Sequence, residues 1–482
     1  MKVTLSSGQE LPIEMHQIKI VQKINLAPIP QRLQAIQEAG YNTFRLRSKD
    51  VFLDMLTDSG TNAMSDKQLG AMMAADDAYA GSESFYRLAE AVQEVFRLQH
   101  VMPVHQGRAA ENLLAKALIE PGEVVPMNYH FTTSKTHVDL AGGQVIELLG
   151  DDALQTASAN PFKGNMDLHK LAAAIEQHGA EHIAYIRMEA TTNLIGGQPF
   201  SLQNLRAVKA MAEAHGILLV LDASLISENA YFIQQREAEF SEASIQQIIH
   251  EMTDLADIVY MSGRKSAAAR GGLIATNNLK LHNRILAWLP VYEGFSTYGG
   301  MSTKEVEAMT VGLREMTEPA VASSSADFIA HFVRRLEEEG LPVVTPPGGL
   351  ACHLDAARFI PHIPQPQYPA GALAAAIYLT SGVRGMERGT LSTDRDKNGV
   401  EVMADLELVR LAVPRRLFTL SHIEYAVDRL KWLYAHRELI GGLLYVEEPA
   451  VLRFFFGKLE SIGGWEERLA QVYQDEFGDG AV

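Results

Sequence analysis

The sequence predicts an α/β protein with a large domain built on a mostly parallel sheet, followed by a smaller α+β domain. Two observations predict this class. Between about residues 100 and 277, short β-branched runs alternate with amphipathic helical patterns, which is typical of parallel βαβ units. After about residue 315, long helical patterns are interrupted by short strand-like segments, which indicates a second unit of a different class.

Seven segments of the first region are predicted strands: 100–104, 123–131, 144–150, 182–190, 217–224, 257–263 and 271–277. Helical patterns lie between them, at residues 107–120 and 201–216 among others. Ser201 is the expected N-cap of the second of these helices, and Gly216 is expected to end it.

The second region begins with a predicted long helix at residues 323–340. The turn-rich segment "VTPPGG" (344–349) follows it, and "GTLSTD" (389–394) and "LELVRLAVP" (406–414) are predicted strands. Further helical patterns close the chain.

Composition excludes several classes of protein. The chain has 482 residues, of which 47% are hydrophobic and 21% charged, as in an ordinary soluble enzyme. A net charge of -17 argues against a nucleic-acid partner. No apolar run reaches the roughly 18 to 20 residues of a membrane span, and no signal-peptide pattern opens the chain. The single cysteine, Cys352, excludes an intramolecular disulfide, so we expect a cytoplasmic protein. Because no apolar run is long enough for a membrane span, we expect no membrane partner.

Three predicted strands end in residues that suit a binding site, because ligands of open parallel sheets bind beyond the carboxyl ends of the strands. Gln106, Gly107 and Arg108 open a helix after the first strand, where backbone N–H groups and a cation can hold an anion. Neither dinucleotide nor P-loop glycine motifs are present, so a single phosphate fits better. Asp222 and Lys265 follow two later strands. Taken singly, each feature could equally be a solvated helix start, a helix cap or a surface charge.

Together, the three features favour pyridoxal 5'-phosphate as cofactor. A lysine forms a Schiff base with its aldehyde, an aspartate keeps its ring nitrogen protonated, and the helix start holds its phosphate. Phe131, also at a strand end, could cover the ring.

The chain also resembles a known family, the aromatic amino-acid β-eliminating lyases, which include tyrosine phenol-lyase and tryptophanase. The resemblance runs nearly end to end and includes "HQGRAAENLL", "TTNLIGGQPFS", "MSGRK", "VYEGFSTYGG", "GVRGMERG" and "LVRLAVPRR". It implies the aspartate-aminotransferase-type fold of pyridoxal-phosphate enzymes, fold type I. The implied division of the chain is an N-terminal arm (1–20), part of the small domain (21–50), the large cofactor domain (51–315) and the small C-terminal domain (316–482).

The resemblance implies a role for each matching residue. Lys265 would be the Schiff-base lysine, Tyr79 the general acid on the leaving group, and Arg410 the residue that holds the substrate carboxylate. The cofactor would be held by Gln106, Gly107, Arg108, Phe131, Asn193, Asp222 and Ser262.

Two positions indicate the tyrosine phenol-lyase pattern over that of tryptophanase. Thr132 and Arg388 match the residues that hold the phenolic oxygen, in a pocket to which Phe44, Phe454 and Phe455 contribute. The implied reaction removes the Cα proton of tyrosine, passes through a quinonoid, expels phenol and leaves aminoacrylate, which decomposes to pyruvate and ammonia. Ordinary core packing is the alternative for each phenylalanine.

Other positions depart from the family pattern and keep a second function open. Leu225 stands for an arginine near the cofactor, Arg264 for a lysine, and Phe295 for a methionine that faces the substrate. The alternative is a divergent member acting on tryptophan, a substituted cysteine or a biosynthetic intermediate. A potassium site at Gly60 and Asp77 is left open, because Asp77 replaces a glutamate and Arg270 lies near the position of an asparagine ligand. The resemblance implies a homo-oligomer, a dimer of dimers.

Overall fold

The structure is a computed structural model that describes residues 1–480. Its strands are β1 (Lys2–Thr4), β2 (Glu10–Pro12), β3 (Leu53–Asp54), β4 (His100–Val104), β5 (Val124–Met127), β6 (Gln144–Glu147), β7 (Ile186–Glu189), β8 (Leu219–Asp222), β9 (Ile258–Ser262), β10 (Gly272–Thr276), β11 (Ala351–Asp355), β12 (Val383–Arg384), β13 (Met386–Arg388), β14 (Leu408–Ala412), β15 (Leu443–Glu447) and β16 (Lys458–Ser461).

Helices alternate with these strands along the chain. They are α1 (Ile29–Glu38), α2 (Asp66–Met73), α3 (Glu83–Phe96), α4 (Gly107–Leu118), α5 (Thr132–Leu140), α6 (Leu168–His178), α7 (Leu202–Ala214), α8 (Ile226–Arg236), α9 (Ile245–Asp254), α10 (Leu279–Leu286), α11 (Leu289–Tyr292), α12 (Thr303–Glu315), α13 (Pro319–Ala322), α14 (Ser324–Glu338), α15 (Ala356–Phe359), α16 (Pro369–Ser381), α17 (Leu420–Ala435) and α18 (Trp465–Phe477).

The central sheet has seven strands in the order β4-β10-β9-β8-β7-β5-β6. Each of the seven predicted segments contributes one of them. Only β10 runs antiparallel to its neighbours, β4 and β9, so the other six strands share one carboxyl edge. The strands β8, β9 and β10 are buried along their whole length, as expected for a sheet covered by helices on both faces.

The predicted helix at residues 201–216 forms as α7. The Ser201 side chain accepts a hydrogen bond from the backbone N–H of Asn204, and the chain turns at Gly216 with φ +68°. That left-handed conformation is one that glycine adopts without strain. The predicted helix at 323–340 forms as α14.

The second unit is built on the antiparallel sheet β11-β14-β13. The helix α16 lies buried against it along all 13 of its residues, which explains its apolar, alanine-rich sequence. The same hydrophobic core includes residues of α1 and β3 from the start of the chain together with α17 and α18 from its end. The predicted domain boundaries stay predictions.

The predicted strand at 389–394 is wrong. Thr390–Ser392 form a single 3-10 turn instead. The Glu407 carboxylate accepts the backbone N–H of Thr390 at 2.8 Å, and Glu387 accepts that of Gly389 at 3.1 Å. These carboxylates take hydrogens that a strand would offer to a neighbour.

The protein described by residues 1–480 has no helix that is both long and apolar enough to span a bilayer.

Candidate active site

A cavity of about 280 Å³ lies at the carboxyl edge of the central sheet, where the second unit closes over it. It gathers most of the predicted site residues from distant parts of the chain. Those that line it are Phe44, Gln106, Gly107, Arg108, Phe131, Thr132, Asp222, Ser262, Lys265, Arg388, Arg410, Phe454 and Phe455. The topology therefore does what the strand-end argument predicts.

The start of α4 forms one end of the cavity. Gln106 is the N-cap residue, and Gly107 is the first helical residue. A Cβ added at Gly107 would lie 2.9 Å from the Ser262 Cβ, so only glycine allows the helix start to approach the end of β9 this closely. The unpaired backbone N–H groups of the helix start, together with Arg108, suit a phosphate.

Lys265 lies in the turn that follows β9. Its Nζ is 5.3 Å from the centroid of the Phe131 ring, so the amine faces the aromatic wall of the cavity. The backbone carbonyl of Lys265 accepts the Asn62 side-chain amide at 3.2 Å, which helps to hold this turn in place. Ala267, Ala268 and Ala269 follow and are buried.

Asp222 ends β8 and is engaged by residues that the sequence analysis missed. The Arg187 Nη2 donates to Asp222 Oδ2 at 2.7 Å, and the Tyr260 hydroxyl lies 2.9 Å from the same oxygen. The backbone N–H of Ser224 donates to Oδ1 at 3.0 Å. The sequence contains a signal for these partners. The segment "IRME" (186–189) places two charged residues on the same face of a predicted buried strand, where charges need partners.

Glu189 and Glu111 add two buried carboxyl groups to this wall of the cavity. Burial raises the pKa of Glu111 to about 7, against the opposing effects of Arg187 and of the Thr133 hydroxyl, which donates to Glu111 at 2.6 Å. Burial also raises the pKa of Glu189, and Arg187 opposes that shift. The protonation of each ionisable group in this wall therefore depends on the charge of its neighbours.

Arg410, on β14, lies where β11, β13 and β14 face the large sheet. Its Nη1 donates to the Asn193 Oδ1 at 2.9 Å, and its Nη2 donates to the Leu56 carbonyl at 2.8 Å. The Arg410 Nε and the Asn193 Nδ2 are buried and have no partner among the described residues. Burial lowers the pKa of Arg410 to about 10. Arg410 lines the cavity, so its Nε is available to an acceptor on a ligand, whereas Asn193 is a predicted cofactor residue that is not among the lining residues.

Arg388, at the end of β13, is 6% exposed and lies beside the aromatic part of the cavity. Its Nη1 donates to the Thr132 hydroxyl at 3.2 Å, and its guanidinium carbon is 5.8 Å from the Phe131 centroid. The Nε has no partner among residues 1–480. Burial, followed by repulsion from Arg410, lowers the pKa of Arg388 to about 9. A cation held this way favours an oxygen or anionic partner.

Three phenylalanines form the wall opposite. The Phe44 ring meets Phe454 at 5.4 Å and Phe455 at 5.0 Å, both edge to face. The Arg108 guanidinium lies 5.9 Å from the Phe455 centroid. All three rings line the cavity; Phe454 also belongs to the core of the second unit, and Phe44 and Phe455 pack against that core. Their role in binding a substrate stays a prediction.

Tyr79 and Phe295 lie outside this cavity. Tyr79 is 71% exposed and stacks on Phe295 with centroids 5.5 Å apart. A hydrogen bond with Tyr298 raises the pKa of Tyr79. A single chain therefore does not bring the predicted general acid to Lys265.

The proposed potassium position is crowded by an arginine. A Cβ on Gly60 would lie 2.5 Å from Arg264 Nη2, and the Gly60 N–H donates to the Arg264 carbonyl at 2.9 Å. Asp77 accepts the Thr303 hydroxyl at 3.2 Å. Among residues 1–480, no group of three or more His, Cys, Asp or Glu side chains is arranged to hold a metal ion. Burial, followed by Arg270 and Arg108, lowers the pKa of Arg264.

These residues fit pyridoxal 5'-phosphate. The glycine-restricted helix start suits its phosphate, Lys265 its aldehyde and Asp222 its ring nitrogen. The free Asn193 amide does not line the cavity itself but lies next to the lining residue Arg410, and it suits the ring hydroxyl.

Solved structures identify the fold as fold type I. The chain superimposes on the serine palmitoyltransferase of Sphingomonas wittichii with a TM-score of 0.58 at 12% identity, covering 81% of this chain and 88% of that one. A SepCysS–SepCysE N-terminal domain complex gives a TM-score of 0.55 at 13% identity, covering 81% and 96%. At such identities the comparison shows the architecture alone.

Sequence relatives are far more similar. The tyrosine phenol-lyase of Nostoc punctiforme is 44% identical over 449 residues, which covers 93% of this chain and 96% of that protein. The tyrosine phenol-lyase of Symbiobacterium thermophilum is 44% identical over 451 residues, covering 93% and 98%. The β-eliminating lyase family model matches residues 54–429. The chain belongs to the β-eliminating lyase family and is a pyridoxal-phosphate-dependent lyase.

Proposed function

We propose that the protein cleaves the bond between Cβ and the ring of tyrosine or a closely related amino acid, consuming water and releasing a phenol, pyruvate and ammonia. The observation that carries this proposal is the Arg388–Thr132 pair at the aromatic end of the cavity. A phenolic oxygen would satisfy the free Arg388 Nε, which otherwise stays buried without an acceptor. The tyrosine phenol-lyases at 44% identity support the same substrate class.

Arg410 is proposed to hold the substrate's α-carboxylate. Its Nε is free, its Nη1 and Nη2 are fixed by Asn193 and Leu56, and it lines the cavity. A guanidinium immobilised in this way offers a preformed donor to a carboxylate.

When bound, pyridoxal phosphate supplies an aldehyde that captures the substrate amine and a ring that accepts electrons. Lys265 is proposed to hold the cofactor and then to take the Cα proton on its Nζ. Phe131 lies 5.3 Å from that Nζ and would keep water away from the reacting carbon.

Departure of the ring requires a proton on its carbon and stabilisation of its oxygen. Arg388 and Thr132 would bind that oxygen, and a tyrosine would supply the proton. Tyr79 is proposed for this step from a neighbouring subunit, because its own chain leaves it exposed and stacked on Phe295.

Exposed apolar residues support such an oligomer. Large side chains of the N-terminal arm (Met15, Ile18 and Ile20), the adjacent Val21, and Met73 of α2 are more than half exposed in the single chain. Burial of this surface between copies fits a homo-oligomer, proposed as a dimer of dimers. The cytoplasmic location stays a prediction.

A second candidate function is cleavage of the side chain of a different amino acid in the same active site. Leu225 lines the cavity and is 2% exposed, so the site has an apolar group where the family pattern has a cation. This change keeps open a tryptophan, substituted-cysteine or biosynthetic substrate.

The test is pyruvate release from tyrosine, ring-substituted tyrosines, tryptophan and S-alkylcysteines, with phenol measured in parallel. Tyrosines are expected to be the preferred substrates, with one phenol for each pyruvate. Tryptophan or an S-alkylcysteine turned over more efficiently than every tyrosine would favour the second candidate instead. Borohydride treatment should attach the cofactor permanently at Lys265, and Lys265→Ala should abolish this labelling.

A further inference from the structure

The Asp222 carboxylate is already surrounded by donors before any ligand is considered. Its Oδ2 accepts from the Arg187 guanidinium at 2.7 Å and lies 2.9 Å from the Tyr260 hydroxyl, while its Oδ1 accepts from the Ser224 N–H at 3.0 Å. Since a carboxylate oxygen accepts about two hydrogen bonds, only Oδ1 keeps room for one more donor. A ligand N–H would share Asp222 with an arginine.

Arg187 is held rigidly and away from water. Its side chain is 2% exposed, and its Nε donates to the Tyr260 hydroxyl at 2.8 Å. Its Nη1 lies 3.3 Å from the Glu189 carboxylate. The guanidinium therefore bridges Asp222 and Glu189, which occupy the same register on neighbouring strands β8 and β7. Its charge acts on both groups with little screening.

We infer that Arg187 is a positioning residue that weakens the hold of Asp222 on a proton at the cofactor's ring nitrogen, and that Glu189 opposes this effect. The inference rests on the proposed cofactor site and on the role of Asp222 within it. A carboxylate paired with a fixed cation attracts a nearby N–H⁺ less strongly than an unpaired one. When the ring nitrogen gives up its proton, that proton goes to solvent and Asp222 remains paired with Arg187.

Several ionisable groups surround Asp222, so the protonation of the cofactor's ring nitrogen is sensitive to the loss of a single charge. They come from four parts of the chain, namely Arg187 and Glu189 on β7, Tyr260 on β9, Glu111 on α4 and Lys265 in the turn after β9. Counting Asp222, three carboxyl groups face two cations, so removal of either Arg187 or Glu189 changes the net charge at the ring by one unit.

A lower affinity of the ring nitrogen for its proton makes the ring a weaker electron sink, which disfavours reactions that leave electrons on the cofactor. In an elimination the electrons of the broken C–H bond form the Cα–Cβ double bond, and the electron pair of the Cβ–ring bond leaves with the departing ring. In the competing transfer of the amine to the cofactor, the electrons stay on the cofactor. Arg187 would thus favour loss of the leaving group over that side reaction.

The test is solid-state nitrogen-15 NMR of the ring nitrogen, with labelled pyridoxal phosphate bound to the full-length protein, followed against pH. Arg187→Met should raise the pH midpoint of ring protonation by about one unit or more, because an adjacent charge commonly shifts a pKa by about 1–3 units. Glu189→Gln should lower the midpoint. Arg187→Lys, which keeps the charge but not the fork, should lie between Arg187→Met and wild type.

Arg384→Met is the control, because Arg384 is a mostly buried arginine that pairs with the partly exposed Asp54 and does not line the cavity. Arg384→Met should be less stable than wild type but should have the same pH midpoint of ring protonation. Opposite shifts in the two charge variants would support the inference, whereas a purely structural role for Arg187 predicts none. Unchanged midpoints, or shifts of the same sign, would overturn it. If Arg187→Met does not fold, the direction of the Glu189→Gln shift decides.

The outcomes also separate this inference from the proposed function. Wild-type protein without a ring-nitrogen signal from bound cofactor would contradict the cofactor site and this inference together. A clear wild-type signal that neither variant moves would contradict this inference alone.

Discussion

Replacing Arg388 with methionine is expected to lower kcat/KM for tyrosine strongly while leaving the fold intact. Arg388 is buried, and its Nε has no partner in residues 1–480. Methionine has a similar length and fills the same space without a charge. Replacing a buried, poorly compensated cation by an apolar side chain is often neutral or stabilising. We therefore expect a thermal midpoint equal to or above that of wild type.

The size of the catalytic loss follows from the donors that disappear. A hydrogen bond to a charged group contributes about 1.5–3 kcal/mol. Arg388 has at least one free donor, Nε, besides the Nη1 that holds Thr132 in position at 3.2 Å. Loss of one direct bond and of the Thr132 alignment amounts to roughly 3 kcal/mol. At 1.36 kcal/mol for each factor of ten, kcat/KM for tyrosine should fall about 10²-fold or more.

The assay compares kcat/KM for tyrosine and for S-methylcysteine in wild type and Arg388→Met. S-methylcysteine has no ring oxygen and serves as the matched control, so its kcat/KM should change less than about threefold. Equal losses for both substrates would refute the assignment of Arg388 to the ring oxygen. Unchanged tyrosine turnover would refute it as well.

Three further predictions concern other parts of the molecule. Activity should be the same in sodium and potassium salts, because the Arg264 guanidinium lies against Gly60; activation by potassium would show that a cation binds there after all. Burial, followed by a neighbouring carboxylate, raises the pKa of Glu387 to about 8, so its folded form binds a proton more tightly than the unfolded chain. The stability from this group is complete below about pH 4.5 and is lost as pH rises to about 8, and Glu387→Gln should therefore raise the thermal midpoint at pH 9 more than at pH 5. Mixing inactive Tyr79→Phe subunits with inactive Lys265→Ala subunits should restore part of the activity, since some sites then combine an intact lysine with an intact partner tyrosine; no recovery in confirmed mixed oligomers would place Tyr79 in its own subunit's site.

The central sheet was predictable because its strands are short, apolar and separated by clear helical patterns. All seven predicted segments pair in it; β4 has the predicted ends, and the other six strands are shorter than predicted. The segment at 389–394 could not be predicted locally. Its backbone hydrogens go to Glu387 and Glu407, and the approach of Glu407 depends on tertiary structure.

The meeting of several predicted site residues in one cavity was predictable, while their chemical roles stay predictions. Lys265, Asp222 and the helix start at Gly107 follow strand ends, and the topology brings strand ends together. Arg187 and Glu189 were missed because charged residues inside a strand gain meaning only when a partner such as Asp222 is known to lie beside them. Tyr79 lies outside the cavity of the single chain, and its proposed role rests on the proposed oligomer, which one chain's sequence does not describe.

The stoichiometry of products formed from tyrosine by the cofactor-loaded protein decides whether tyrosine is the substrate. We expect equal amounts of phenol, pyruvate and ammonia, and we expect Lys265→Ala to produce none of them. Tyrosine left unconsumed by a protein that carries the cofactor at Lys265, while another amino acid yields pyruvate, would contradict the proposed substrate.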